Sequence, residues 1–298
     1  MTHDRQIAYR YGEPAARGLT WPNGATLALT LVVNVEEGAE QNVADGDRGP
    51  EPVDELGVHL KKPVRIHGNE TNYAYGINQG APRVIRLLDA HGVPATWTAA
   101  SLALERAPDL AAEIARRGDE PCCHGYRWQF QMGMDEEAER DFIRKGTESI
   151  ERTVGRRPVG WLSRYLHTDE TRRLLKEAGY TYHMDDYSGD FPYRDEATGM
   201  IVLPYAIDSN DMKMWTHGLT PRQWADYACD TFDWLLAESR EHGARMMSLG
   251  LHLRIIGRPG RIGALARVLD HMRGQEGVWV TTREAVAEAF GARFPIER

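Results

Sequence analysis

The chain alternates short apolar runs with amphipathic stretches. Leu27-Ala28-Leu29-Thr30-Leu31-Val32-Val33 is almost uninterrupted apolar sequence, the composition of a strand buried on both faces. This strand is read to end at Glu36. Shorter runs follow at 94–100, 120–123, 159–163, 180–184, 200–204, 246–251 and 278–280. Between them the spacing changes to that of helices. In 81–91, Val84, Ile85, Leu87 and Leu88 form one stripe, and His91-Gly92 with Pro94 beyond marks its end. Further helices are predicted over 109–117, closed by Gly118, and from 134 to about 154. Another spans 168–178, with Thr168 as cap and Gly179 as stop; the rest cover 221–242, 262–273 and the stretch from Thr282. The first 25 residues lack periodicity and read as an arm. Residues 26–298 form one domain, interrupted by a long irregular insertion from about Gly38 to Gly80. Roughly seven βα pairs argue for an α/β fold with a parallel barrel, an open doubly wound sheet being the second choice.

Either topology gathers the carboxyl ends of the strands at one edge, where parallel βα folds build their active sites. Three apolar runs deliver ionisable groups there. The first leads into Asn34-Val35-Glu36-Glu37-Gly38, the second into His124-Gly125-Tyr126-Arg127-Trp128, and the third into His252. Singly, each has a bland reading: a solvated carboxylate pair, or a histidine satisfied in the core. Together they suit amide hydrolysis, which needs an activated water and a proton for the departing nitrogen. Two adjacent carboxylates brought into one pocket raise one of their pKa values, and a histidine opposite them can donate.

Composition narrows the setting. No apolar run approaches the length that spans a bilayer, and the amino terminus lacks the apolar core of a signal peptide. A net charge of -8 argues against nucleic acid or an anionic membrane as partner. Three cysteines, two of them adjacent (Cys122 and Cys123), do not make a disulfide framework. A cytoplasmic protein with a small-molecule substrate is expected. The long insertion after Glu37 points to contacts in a homo-oligomer.

Several segments taken in order resemble the polysaccharide deacetylase family. They are Asn34 to Gly38, His124 to Trp128, Gly160-Trp161, Ser209-Asn210-Asp211-Met212 and the stretch from Gly250 to Arg261. The likeness is greatest to the allantoinase branch, whose members open the ring of allantoin. It implies a distorted (β/α)7 barrel and hydrolysis of a non-peptide carbon–nitrogen bond. By the same resemblance Glu36 and Glu37 stand where the family has paired aspartates, the first a base and the second a metal ligand. His124 falls on the first histidine of the metal motif and His252 on the general acid. These four residues are the expected catalytic set. The second metal histidine is replaced by Trp128, whose indole cannot ligate. A metal-free mechanism is therefore favoured, the rival being a zinc site completed by Asp185 or Asp186.

Substrate contacts are expected from Tyr126 and Trp128 as pocket walls, and from Ser163 and Arg164 at a strand end. Asp208, Asn210, Asp211 and Arg254 complete that group. Arg164 is read as a clamp for a carboxylate, ureido or imide oxygen, and the bland alternative is a surface arginine. Two segments, Tyr75-Gly76-Ile77-Asn78 and Leu162-Ser163-Arg164-Tyr165-Leu166, depart from the allantoinase pattern. The expected substrate is thus a small cyclic amide, imide or ureide, with allantoin as the example. An N-acetylated sugar comes second, and a catalytically silent ligand-binding barrel is the reading from a different class.

Overall fold

The computed structural model describes residues 9–58, 60, 62–205 and 207–295. The first eight residues of the expected arm lie outside this range. Among the described residues nine strands form one sheet: β1 (Leu27–Val35), β2 (Thr96–Ala99), β3 (Glu120–Cys123), β4 (Gly160–Trp161), β5 (Tyr182–His183), β6 (Tyr193–Arg194), β7 (Ile201–Val202), β8 (Arg245–His252) and β9 (Val278–Thr281). Their order is β6-β7-β5-β4-β3-β2-β1-β8, with β9 also on β1. Every pairing is parallel except β6 with β7. β8 follows β1 from Leu27 opposite Arg245 to Asn34 opposite His252. β9 pairs with Leu27–Thr30, while β2 pairs with Val32–Val35. The sheet curls into a half-barrel, and a single bridge from Asn210 to Gly250 reaches across the seam beside β8. The expected α/β barrel architecture is present. The hairpin strand β6 and the helix Ser101–Arg106 are additions that the periodicity did not predict.

Strand alternation sorts the side chains into two layers. On β1, Leu27, Leu29, Leu31, Val33 and Val35 pack with the surrounding helices, against Val84, Ile85, Leu88, Leu265 and Val268. Ala28 and Val32 turn to the barrel interior, with Cys122, Tyr182, Leu203, Tyr205 and Met246. Thr30 and Asn34 share that inward parity and are buried polar groups. Thr30 bonds to Ser248, and Asn34 bonds to Tyr205, Thr98 and the Leu251 carbonyl. Along the inward face of β1, apolar and hydrogen-bonded polar side chains thus alternate up to the carboxyl end of the sheet.

At the opposite end sits a second polar group. Glu120, at the start of β3, accepts from the Thr96 hydroxyl (2.7 Å), the Glu284 backbone N–H (2.9 Å) and the Tyr182 hydroxyl. Nearby Arg283 is fully buried and bonds to Ser248 and to the carbonyls of Leu203 and Pro204. It ties the last helix, Arg283–Arg293, to both sides of the seam.

The insertion corrects the sequence reading. It is not irregular throughout: a helix, His67–Tyr75, runs through a π-helical turn, Gly76–Gly80, into the expected helix Ala81–His91. His67-Gly-Asn-Glu-Thr-Asn-Tyr-Ala-Tyr carries no apolar stripe, because it buries only Asn69 and Tyr73. The hydrophobic period that signals a helix was thus missing. The preceding loop is pinned by charge, Arg127 holding Asp47 (2.6 Å) and Arg106 holding Asp45 (2.7 Å).

Candidate active site

Inward parity carries on past the ends of the strands. Glu36 continues the series of Thr30, Val32 and Asn34, His124 follows Cys122 by two, and His252 follows Ser248 and Gly250. The structure brings these three side chains together. Glu36 Oε1 lies 3.5 Å from His252 Nε2 and 3.8 Å from His124 Nε2. Glu36 Oε2 accepts from Arg254 Nη1 at 2.7 Å. Glu36 is 2% exposed and both histidines 5%, so the cluster sits in a narrow, low-dielectric place.

Each member is held in one protonation geometry. Burial alone would raise the Glu36 carboxyl, but the charges of Arg254 and His252 beside it hold it well below the usual range. Burial would also discharge His252. The carboxylates of Asp211 and Glu36 outweigh that effect and push the imidazole up to about 10. Asp211 does this with both oxygens, accepting from the His252 backbone N–H (2.7 Å) and from Nδ1 (2.6 Å). His124 is fixed differently. Its Nδ1 is 2.6 Å from the Leu162 carbonyl, which only accepts, so the hydrogen is on Nδ1. Its Nε2 is 3.1 Å from the Trp128 indole N–H, which only donates, so that lone pair is filled.

Glu37 has the opposite parity and turns away from the barrel interior. Its Oε2 accepts from the Glu36 backbone N–H (3.0 Å) and its Oε1 from the Arg254 backbone N–H (3.1 Å). Burial, reinforced by Glu36 and opposed by Arg254, raises its pKa. Arg254 is enclosed by carboxylates and rings. Its Nε donates to Glu55 (2.8 Å), and its guanidinium lies 4.3 Å from the Tyr73 ring centroid and 5.6 Å from that of Trp128.

The residues expected to touch substrate fall into distinct places. Arg164 is 1% exposed, and its paired hydrogen bonds go to Glu51 (2.9 and 2.5 Å) and the Trp128 carbonyl (2.6 Å). It stacks 3.7 Å over Trp128, the ring whose indole N–H meets His124; the surface-arginine alternative does not describe it. Ser163 is likewise engaged, accepting from Trp161 Nε1 and donating its backbone N–H to Asp185. Asp211 belongs to His252. Asn210 closes a turn onto Met212 and bonds Tyr205. Asp208 is exposed, pairs with Tyr227, and lines a lateral cavity of about 510 Å³ beside β8. Tyr126 is half-buried at the start of the loop carrying Trp128. Sequence reading missed Glu51 and Glu55, both in the insertion, where no periodicity gives the register. Tyr73-Ala74-Tyr75-Gly76, read from the sequence as a loop over this face or as simple aromatic packing, is helical and brings the Tyr73 ring to Arg254.

These side chains do not fit a zinc ion. The lone pair of His124 that would face a metal receives the indole hydrogen, and both Glu37 oxygens receive backbone N–H groups. Asp185 is engaged by His183 and Ser163, and Asp186 by Ser188 and Tyr193. Among the described residues no group of three His, Cys, Asp or Glu side chains is placed to share a metal. The cation beside the paired carboxylates is the Arg254 guanidinium.

The likenesses to known proteins agree with this architecture. A family model for polysaccharide deacetylase matches residues 71–183. A polysaccharide deacetylase-like protein of Schizosaccharomyces pombe is 31% identical over 99% of this chain and 99% of its own. The peptidoglycan deacetylase of Helicobacter pylori is 24% identical, over 72% of this chain and 85% of that protein. Among solved structures, PuuE allantoinase is 35% identical with a TM-score of 0.87, covering 93% of this chain and 94% of that one. A polysaccharide deacetylase-type protein of Pseudomonas aeruginosa PAO1 is 34% identical with a TM-score of 0.88, covering 93% and 95%. The chain belongs to the polysaccharide deacetylase family, and its relatives are hydrolases of carbon–nitrogen bonds other than peptide bonds.

Proposed function

We propose that this protein hydrolyses a ring amide of a small cyclic amide, imide or ureide, allantoin being the best example. It does so with Glu36 as base and His252 as acid. The observation that carries the reading is the Glu36–His252–Asp211 constellation, in which neutral pH finds the carboxylate ionised and the imidazole protonated. Glu36 takes a proton from water, whose oxygen attacks the ring carbonyl. The imidazolium of His252 faces the developing negative charge and then gives its proton to the departing nitrogen as the carbon–nitrogen bond breaks. The product is a carboxylic acid that retains the released nitrogen in the same molecule. His124 and Trp128 form the wall opposite, and no step passes through a metal. The likeness to PuuE allantoinase over nearly the whole chain supports a ureide ring in particular.

A second reading, removal of an acetyl group from an N-acetylated sugar, is favoured by the likeness to the peptidoglycan deacetylase. One experiment separates the two readings. Metal-stripped protein is offered racemic allantoin, succinimide and N-acetylglucosamine oligomers, and the assay is repeated with zinc. Ring opening without metal, lost in Glu36→Gln, is the expected result. Activity on the sugar alone, and only with zinc, overturns the proposal. Saturable binding with no turnover of any of them leaves a binding protein.

A further inference from the structure

Gly76 begins the π-helical turn, and its backbone is ordinary right-handed helix, with φ -56° and ψ -47°. Alanine is the better helix former at such a position, so conformational freedom does not account for the glycine. Space does. A Cβ built on Gly76 would fall 2.7 Å from Cδ and 2.8 Å from Cγ of Glu37, and closer still to Oε1. Glu37 cannot simply swing aside, because it is buried and each of its oxygens receives a backbone N–H, one from Glu36 and one from Arg254. Those two residues are the base and the cation that holds it.

We propose that Gly76 is a positioning residue for the reaction centre: its missing side chain admits the full length of Glu37, whose carboxylate fixes the backbone of Glu36 and Arg254. The inference rests on the reading of Glu36 and His252 as base and acid. It also makes Glu37 and Gly76 a matched pair, since a carboxylate one methylene shorter would not need the vacancy. The wider helix is anchored independently of this contact. A Cβ on Gly80 would collide with the Leu253 carbonyl and lie 2.9 Å from its carbon, and Arg83 binds the Gly257 carbonyl at 2.9 Å. Backbone cannot yield there, whereas at Gly76 the obstacle is the Glu37 side chain, which gives way only by surrendering its two backbone hydrogen bonds. Gly76→Ala is therefore expected to fold.

The test is a cycle in the full chain: Gly76→Ala, Glu37→Asp and the double variant, each measured for ring-amide turnover and for thermal melting. Gly76→Ala is expected to lower kcat about 100-fold with little change in KM, the cost of displacing a reaction centre by a fraction of its bond lengths. Glu37→Asp also loses activity, because the shorter side chain cannot reach both backbone donors. The double variant should be about tenfold more active than the product of the two single losses, since shortening the carboxylate makes room for the methyl. Fully additive losses, or an undiminished Gly76→Ala enzyme, would overturn the proposal. If wild type opens no ring amide, the reading of the centre fails by itself. The melting temperatures then still decide the pairing, and additivity there rejects it.

Discussion

Glu36 and Glu120 are both carboxylates buried in the same sheet, one just past the carboxyl end of β1 and the other at the amino end of β3. Their surroundings drive them apart. Glu36 touches Arg254 and faces His252, and its carboxyl is held well below the ordinary range. Glu120 is met by hydroxyls and a backbone N–H, all neutral, and burial pushes it up to about 7. Equal burial with unequal partners gives a fully ionised group at one end and, at the other, one that still holds much of its proton near neutrality. Hydrogen bonds suffice to satisfy a buried carboxyl; keeping it charged takes cations. Cations contact the carboxylate where a base and an acid are required; at the other end Glu120 is met by neutral donors, and buried Arg283 gives its hydrogen bonds to Ser248 and two carbonyls.

The sharpest way to break this comparison is Glu36→Gln. The amide keeps the shape and the acceptor for Arg254 but cannot take a proton, and kcat is expected to fall about 10³-fold. Steady-state turnover with a ring amide checks it. Retention of a tenth or more of the wild-type rate would remove Glu36 from the chemistry.

Asp211→Asn comes next. His252 is raised to about 10 chiefly against burial, by the Asp211 charge first and by Glu36 second. A raised pKa keeps the imidazole protonated below that value and loses the proton as pH climbs through it. The wild-type profile of kcat/KM should therefore fall on the alkaline side near pH 10. Removing the Asp211 charge moves that limb to lower pH and lowers kcat on the order of 10²-fold at neutrality. A limb that stays in place would show that another group titrates there.

Much of this was legible in advance because two of its causes are local. The apolar runs and helical stripes named most strands and helices, and a period of two along Thr30, Val32 and Asn34 carries Glu36 inward. Cys122 does the same for His124, and Ser248 for His252. What was hidden depends on contacts between distant segments. Glu51 and Glu55 lie in a loop that has no period, so nothing in the chain announces that they meet Arg164 and Arg254. The hairpin strand β6, Tyr193–Arg194, is only half-buried and has no apolar run to announce it, unlike the equally short but buried β4, β5 and β7. The clamp reading of Arg164 comes from the family resemblance, which implies a substrate-contacting arginine at this strand end. The structure turns it inward to Glu51 and Trp128, a choice made by the insertion. Asp211 was placed with substrate, and its tie to His252 follows only from the bridge across the seam.

Trp128→Phe probes the indole that links His124 to Arg164. It preserves a ring beneath Arg164 but leaves the His124 Nε2 acceptor without its donor. An unmet buried acceptor costs about 1–3 kcal/mol, so the melting temperature should drop measurably. Activity should fall less than in Asp211→Asn, because neither the base nor the acid is touched. A variant as stable as wild type would mean that the indole hydrogen bond contributes nothing.

Glu120→Gln should leave turnover unchanged and alter only how stability varies with pH. In the unfolded chain the carboxyl titrates near 4.5, and in the fold near 7. Between those values the folded state holds a proton that the unfolded state has released. Stability therefore declines as pH rises through that window and stays lower above it, by roughly 3 kcal/mol for a shift of this size. Glutamine cannot titrate. Its oxygen can still accept from Thr96 and the Glu284 N–H, and the Tyr182 hydroxyl can reverse to accept from the amide. Denaturation at pH 4.5 and pH 8 should thus show the variant gaining on wild type at the higher pH. Glu40, also raised to about 7 by burial, keeps its own share of the slope in both proteins. Parallel curves for the two proteins would mean that Glu120 is ionised in the fold, and the contrast with Glu36 would collapse.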